Sequence, residues 1–425
     1  MVQKENYTMA VALSRSQLAS LYRPLGPKYV TTASFPTPTT GAGSGGTATV
    51  TQQVDLTLPI RGFRLIIKGR VAVATANYTT VNPENLLNLI STIQITGTNR
   101  RQNGNVTPWF TDLATLWTAS QLVATQGPSI QINGSQAVRP SVPFGFFSQA
   151  GANLIPLTTA GSPYDFIISV DLPSAPFNLS GLTGPLELGF LIRQQEWKDS
   201  ITFKFVTPSV LDNANNPLGL SAATTATTIT AFGSGSGVPT IDIYSLPVIM
   251  GSTQNTVIPG VIVRSIQPIN PTIIQTTANN AELLRLQKQL TSRIFVKIGT
   301  ANAAGAGFPV FATLSDTAVI AFGFQIGTDR NVRDLLDWMA HRQEIVDHYN
   351  AQGIQGYNLN DFIQSGNPDS SYPGDQLGDG AVMRIIANIT GLANGQGLIL
   401  QEQILQAPAG LLVGGKAGGG SASCA

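Results

Sequence analysis

The chain has 425 residues, 42% of them hydrophobic, and a formal net charge of +1 with only 11% of residues charged. That length carries a prior of two or three domains, and the hydrophobic content excludes a disordered chain. Charge this sparse, against the roughly 25% of an ordinary soluble domain, excludes a nucleic-acid-condensing or sequence-reading role, which needs a concentrated basic surface.

In place of charge the sequence uses Thr, Ser, Asn and Gln with 43 Gly and 26 Pro. Short strands joined by many turns use such a mixture, and their neutral flanks suit burial against other protein, because interface cores are depleted of charge. The only cysteine is Cys424, so no intrachain disulfide forms. No apolar signal-peptide core opens the sequence, and no run of about 18 apolar residues is present to span a membrane. Synthesis and folding in a cytoplasm are expected.

Residues 14–22 read as two helical turns with Leu18, Leu21 and Tyr22 on one side, stopped by Pro24 and Pro27. Lys4, Arg15, Arg23 and Lys28 make this segment net positive. Phe35-Pro36-Thr37-Pro38 and the Gly/Ser stretch from Gly41 to Gly46 read as a flexible arm. That stretch satisfies G-x-G-x-x-G, but no strand precedes it and no helix follows, so it is a linker and not a dinucleotide site. Residues 1–44 are therefore expected to be an N-terminal helix and arm.

Val54, Leu56, Leu58 and Ile60 alternate with polar residues as in a half-buried strand. Further strands are expected at 63–68, 71–74 and 89–96. Trp109, Leu113, Leu116 and Trp117, with Pro108 near the start, read as a short amphipathic helix. Strands at 165–172, 185–193, 201–206, 227–232 and 240–250 complete a first unit, 45–252. A second unit, 253–410, has expected strands at 257–269, 293–299, 309–314, 317–326, 381–390 and 398–405. Its helix is expected over 331–350, with Val332, Leu335, Leu336, Met339, Val346 and Tyr349 as the apolar face. Residues 411–425 are a Gly-rich tail; Gly410 through Lys416 match the start of a P-loop, but Ala417 replaces its hydroxyl and no helix can follow.

The two units share a pattern. Arg64-Leu65-Ile66-Ile67-Lys68 is followed by Gly97-Thr98-Asn99-Arg100, and Arg293-Ile294-Phe295-Val296-Lys297 by Gly327-Thr328-Asp329-Arg330. The intervals are 33 residues (64 to 97) and 34 (293 to 327). Two motifs in the same order at nearly the same interval point to duplication of a whole domain, since the period far exceeds the roughly 20–50 residues of solenoid repeats. Many short strands without βαβ alternation give an all-β chain, two tandem eight-stranded antiparallel jelly rolls with a helix inserted in each. Each unit is longer than the roughly 100 residues of an immunoglobulin domain.

Chemistry-bearing groups are few. Asp337, His341, Glu344 and His348 fall on one face of the expected second helix, and such a set could ligate a metal. The same four residues also serve as the polar face opposite the apolar stripe. With only two histidines, acid–base catalysis by His has little support, and no enzyme activity or cofactor is expected. Asp361, Asp369, Asp375 and Asp379 read as turn-forming residues of one loop. Trp109, Trp117, Phe144, Phe146 and Phe147 read as core or subunit-interface aromatics.

Tandem rolls, inserted helices, low charge, long polar loops and a detachable basic N-terminal helix together resemble the double jelly-roll major capsid proteins of tailless icosahedral viruses. That lineage includes adenovirus hexon and membrane-containing bacteriophages. The stretch from Val54-Asp55-Leu56 through Lys68 and on to Asn88-Leu89-Ile90 is similar in layout to the opening strands of the bacteriophage members, as is the long interval between 201–206 and 241–250. The resemblance spans about residues 45–410 and carries no catalytic residues. It implies a homotrimer presenting six similar units, tiling with neighbouring capsomers and minor capsid or vertex proteins into a virion shell assembled in the host cytoplasm. It also implies an inner-face position for the N-terminal segment, where Arg15, Leu18, Leu21, Tyr22, Arg23 and Lys28 meet an internal lipid membrane or a neighbouring subunit. Two other classes fit the composition: a secreted surface-array or adhesin β protein, which should carry an export signal, and a carbohydrate-binding jelly roll.

Overall fold

The computed structural model describes residues 22–35, 46–73, 87, 89–100, 104–113, 116, 129–132, 136–138, 164–174, 191–194, 196–207, 227–233, 237–250, 263–268, 272–274, 280–284, 290–302, 310–313, 319–326, 330–337, 339–340, 343, 357–361, 372–373, 383–389 and 395–405. In the first half the strands are β1 (Tyr22–Pro24), β2 (Lys28–Ser34), β3 (Thr47–Gln53), β4 (Ile60–Val73), β5 (Thr92–Asn99), β6 (Gly104–Thr111), β7 (Ser129–Ile132), β8 (Gln136–Val138), β9 (Tyr164–Pro173), β10 (Trp197–Val206), β11 (Thr227–Thr230) and β12 (Thr240–Met250). The second half has β13 (Val263–Pro268), β14 (Thr272–Ile274), β15 (Asn280–Leu284), β16 (Leu290–Asn302), β17 (Val310–Thr313), β18 (Val319–Ile326), β19 (Arg330–Asp337), β20 (Tyr357–Asp361), β21 (Tyr372–Pro373), β22 (Met383–Ile389) and β23 (Gly395–Leu405).

The first roll is built on β4. Its alternation sends Phe63, Leu65, Ile67 and Val71 to one face, each fully buried, and Arg64, Ile66, Lys68 and Arg70 to the other. β4 sits in the sheet β2-β12-β4-β9, and opposite it lies β3-β10-β5-β6. β3 pairs with β10 and β4 with β9. Successive strands thus pair with partners far along the chain, in alternate sheets, as when one long hairpin is rolled up. This is the jelly-roll topology. Between the sheets Phe63 meets the edge of Phe203 at 5.2 Å and of Trp109 at 5.9 Å, both T-shaped. Ile168, Val170, Ile241, Ile243, Ile93, Ile95, Ile201 and Phe205 fill the same layer.

The second half repeats this pairing diagram strand for strand. Antiparallel pairs β12·β2, β12·β4, β4·β9, β3·β10, β10·β5 and β5·β6 correspond to β23·β13, β23·β16, β16·β20, β15·β22, β22·β18 and β18·β19. The eight strands of each set also come in the same chain order. The repeated Arg-to-Lys segments lie in β4 and β16. The repeated Gly-Thr motifs fall at the end of β5 and between β18 and β19, so the sequence duplication is a duplication of fold. A Cβ at Gly97 would come 3.0 Å from the Trp197 ring, which would have to give by a few tenths of an ångström to admit it. The chain is a double jelly roll. The two rolls share one sheet: β6 and β13 run side by side in parallel, with Trp109 opposite Ile266, which joins the second roll edge to edge with the first.

Several expectations are corrected. Tyr22 does not end a helix; it opens β1, and β1 and β2 hydrogen-bond to β12, with Phe35 only 1% exposed. Residues 22–35 therefore belong to the first roll and not to a detachable arm, because β12 would otherwise leave its backbone groups unpaired along that side. The strand expected over Val54–Ile60 is absent: residues 54–59 lie between β3 and β4, with Val54, Leu56 and Ile60 buried and Leu58 exposed. Trp109 belongs to strand β6 and the helical residues begin at Leu113; β5 supplies a hairpin partner that the local apolar spacing conceals. Of 185–193, the described residues 191–193 form only an isolated bridge, Ile192 to Ile60. The helix expected over 331–350 does not cover Arg330–Asp337, which form β19, and its first described residue is Met339. The first copy has the same order of motif, strand and helix, and tertiary pairing overrides the helical spacing of Val332, Leu335 and Leu336. Asp361 ends β20 and does not sit in a loop.

Candidate assembly surface

The outer face of β2-β12-β4-β9 carries the most organised chemistry among the described residues. The charged residues β4 contributes there are all cations, and its two flanking strands contribute the anions. Arg64 donates from Nε and Nη2 to Asp171 at 2.6 and 2.9 Å, and Arg70 does the same to Asp165 at 2.8 and 3.0 Å. Lys68 pairs with Asp242, which also accepts from the Thr32 hydroxyl at 2.7 Å. Strand pleating puts i, i+4 and i+6 on one face and pairing brings the aspartates beside them. Each Asp raises the pKa of its arginine, so both guanidiniums stay charged at any ordinary pH.

These pairs are partly shielded; the Arg64 and Asp171 side chains are 28% and 20% exposed. Bidentate geometry makes them worth more than a loose surface pair. Arg64→Ala, which strands Asp171, should cost about 1–2 kcal/mol, read as a lower urea midpoint. Replacing both members by Met and Leu should recover most of it.

At the β2 end, Lys28 Nζ lies 2.5 Å from Asp55 Oδ2. The Lys28 ammonium, then the hydroxyl and backbone N–H of Thr57, hold the Asp55 carboxyl well below the usual carboxylate range. A depressed carboxylate stabilises the fold above its unfolded pKa, about 4, and loses that contribution as pH falls below it. Both side chains are about half exposed, so water screens the pair. The gap in urea midpoint between wild type and Asp55→Asn should be small at pH 7 and close progressively between about pH 5 and pH 2.

Of the residues expected on an inner or membrane-facing surface, Tyr22, Arg23 and Lys28 lie on β1 and β2; Arg15, Leu18 and Leu21 lie outside the described residues. Of the expected metal set, Asp337 ends β19. His341, Glu344 and His348 lie outside the described residues, so the shared helix face loses its first member. Trp109 is a core aromatic as expected, and Trp117, Phe144, Phe146, Phe147, Asp369, Asp375 and Asp379 are outside the described residues. The aspartates facing β4 were missed. Asp171 is 107 residues from Arg64, and only strand pairing brings them together. Among the described residues no helix is long and apolar enough to cross a membrane.

No protein-family model matches the sequence, and the curated proteins give no match either. Solved structures do. The chain is similar to that of the PBCV-1 virus capsid, at 11% identity and a TM-score of 0.50, covering 88% of this chain and 93% of that one. It is also similar to the major capsid protein of Sulfolobus turreted icosahedral virus, at 11% identity, 90% and 96% coverage and a TM-score of 0.49. A third is major capsid protein P2 of bacteriophage PM2, at 10% identity, 91% and 98% coverage and a TM-score of 0.43. The match at 0.50 agrees with the fold derived from strand pairing.

Proposed function

We propose that this chain is a structural subunit of an icosahedral virus shell, a major capsid protein that assembles as a homotrimer. The observation that carries the proposal is the repeated eight-strand diagram, two rolls joined edge to edge in one sheet. Three such chains supply six similar units, a natural hexagonal tile. Low charge supports the same reading, because flanks this neutral suit burial against neighbouring tiles. The likeness in fold to the PBCV-1 capsid chain adds to it. Residues 22–252 form the first roll in this reading and 253–410 the second, leaving 1–21 and 411–425 as terminal segments. The particle location is the virion shell, with assembly in the host cytoplasm, neighbouring capsomers and vertex proteins as partners, and no catalytic role.

Light scattering on the purified chain, with negative-stain imaging, tests the proposal. A particle of three times the 44.8 kDa chain mass with a hexagonal outline is expected. A persistent monomer rejects it. An internal lipid layer is the finer part of the reading, met by Arg15, Leu18, Leu21, Tyr22, Arg23 and Lys28. Removing residues 1–21 should abolish flotation with anionic liposomes and leave the trimer intact; unchanged flotation removes the membrane contact.

A further inference from the structure

The joint between the rolls can be followed residue by residue. From the repeated arginine of the second roll, one row across the sheet runs Asp361, Arg293, Glu402, Ile266, and then crosses into the first roll at Trp109. The equivalent row of the first roll runs Asp171, Arg64, Tyr244, Tyr29. There it stops. Tyr29 holds the place of Ile266, and among the described residues β2 pairs with nothing beyond β12. Tyr29 is 56% exposed, although its ring is fixed against Tyr244 at 5.7 Å. In the second half β19, the counterpart of β6, is the last strand of its sheet, and among the described residues it pairs only with β18.

Among the described residues the chain therefore has one made joint, β6 to β13, and the two unlike halves of a second such joint, β2 and β19. We infer that the partner for these halves is a second copy of this chain: β19 of one subunit lies parallel to β2 of the next, repeating the β6·β13 contact between chains. The two open edges are complementary and not alike, so the contact is head-to-tail, and a head-to-tail contact makes either a ring or an open fibre. If the step between rolls is the same within a chain as between chains, three chains close a ring of six rolls. The register follows from the existing joint. Trp109 is the sixth residue of the eight-residue β6, and the sixth of the eight-residue β19 is Leu335. Leu335 should therefore lie opposite Tyr29 of the neighbouring subunit.

The two rows also differ in cover. Arg293, on the continued row, is 1% exposed and Phe295 5%, whereas the Arg64 side chain is 28% exposed. Closing the second joint would give the row of Arg64 the neighbour that the row of Arg293 already has.

This inference rests on the homotrimer proposed above, and the test separates the two. In a Cys424→Ser chain, Tyr29→Cys and Leu335→Cys are combined and treated with a short bis-maleimide that alkylates one thiol at each end. A covalent product of three times the chain mass is expected from the double variant. Either single variant should give none, and Thr51→Cys with Leu335→Cys, on the distant edge strand β3, should also give none. A trimer by light scattering that gives no crosslink overturns the edge assignment and leaves the trimer standing. A monomer overturns both. Should the Leu335 variant fail to fold, amide hydrogen exchange on the Cys424→Ser chain decides: residues 28–34 and 330–337 should both gain protection in the oligomer relative to dilute monomer, and exchange unchanged at either strand overturns the joint.

Discussion

Gly62→Ala is expected to be among the most damaging single substitutions in the first roll. Gly62 lies near the start of β4 with φ of 142°, a region that side-chain-bearing residues rarely adopt. A Cβ there would fall 2.1 Å from the carbonyl oxygen of Leu172 and 2.9 Å from Cα of Pro173. Both obstacles are backbone of β9, the strand paired with β4, so no side chain can swing aside. The pair must separate at the point where Gly62 faces Pro173, which loosens the β4–β9 ladder that also holds Arg64 against Asp171. Strain and lost pairing together should exceed about 3 kcal/mol. The measurement is a urea midpoint, and a variant within about 0.5 kcal/mol of wild type would show that this stretch can shift at little cost.

The second large effect is expected at Phe63. Its ring is fully buried and meets both Phe203 and Trp109 edge-on, so it bridges the two sheets. Phe63→Ala should cost about 3–5 kcal/mol through lost burial and an unfilled cavity. Phe63→Leu should cost much less, since it keeps most of the volume. Because Trp109 also stands opposite Ile266 at the joint between rolls, the alanine variant should broaden the unfolding transition as well as move it. A single sharp transition at lower midpoint would mean that the rolls unfold as one regardless of this contact.

The architecture was legible in the sequence where two independent signals agreed. The strands expected at 63–68, 165–172 and 240–250 fall in β4, β9 and β12, and the paired Arg-to-Lys and Gly-Thr motifs marked the duplication, whereas the period-two alternation of Val54–Ile60 marked no strand. It failed where one local signal stood alone. Trp109 with Leu113 and Leu116, and Leu335 with Leu336 and Met339, have helical spacing, yet in both copies the strand comes first and the helix after it. Comparing the copies would have exposed both errors, because the motif is followed by a hairpin partner each time. The N-terminal segment misled for another reason. Pro24, Pro27 and the Gly/Ser stretch look like punctuation, but Lys28–Ser34 draws its hydrogen bonds from β12, more than 200 residues away, and no local pattern encodes that pairing. The ion pairs across β4 were hidden in the same way. Asp171 follows Arg64 by 107 residues, while Asp361 follows Arg293 by 68 (293 to 361).

Among the described residues β2 has no partner beyond β12, and such an edge has a cost for the lone molecule. A strand with unmet amides and carbonyls recruits whatever strand it touches, and in the head-to-tail joint inferred above a matching one waits on every other copy. Newly made chains should therefore be most prone to clump while they are still single, and the finished closed form, with no side left to extend, should be the soluble one. Rapid concentration after synthesis would then protect this protein, where it would harm most others.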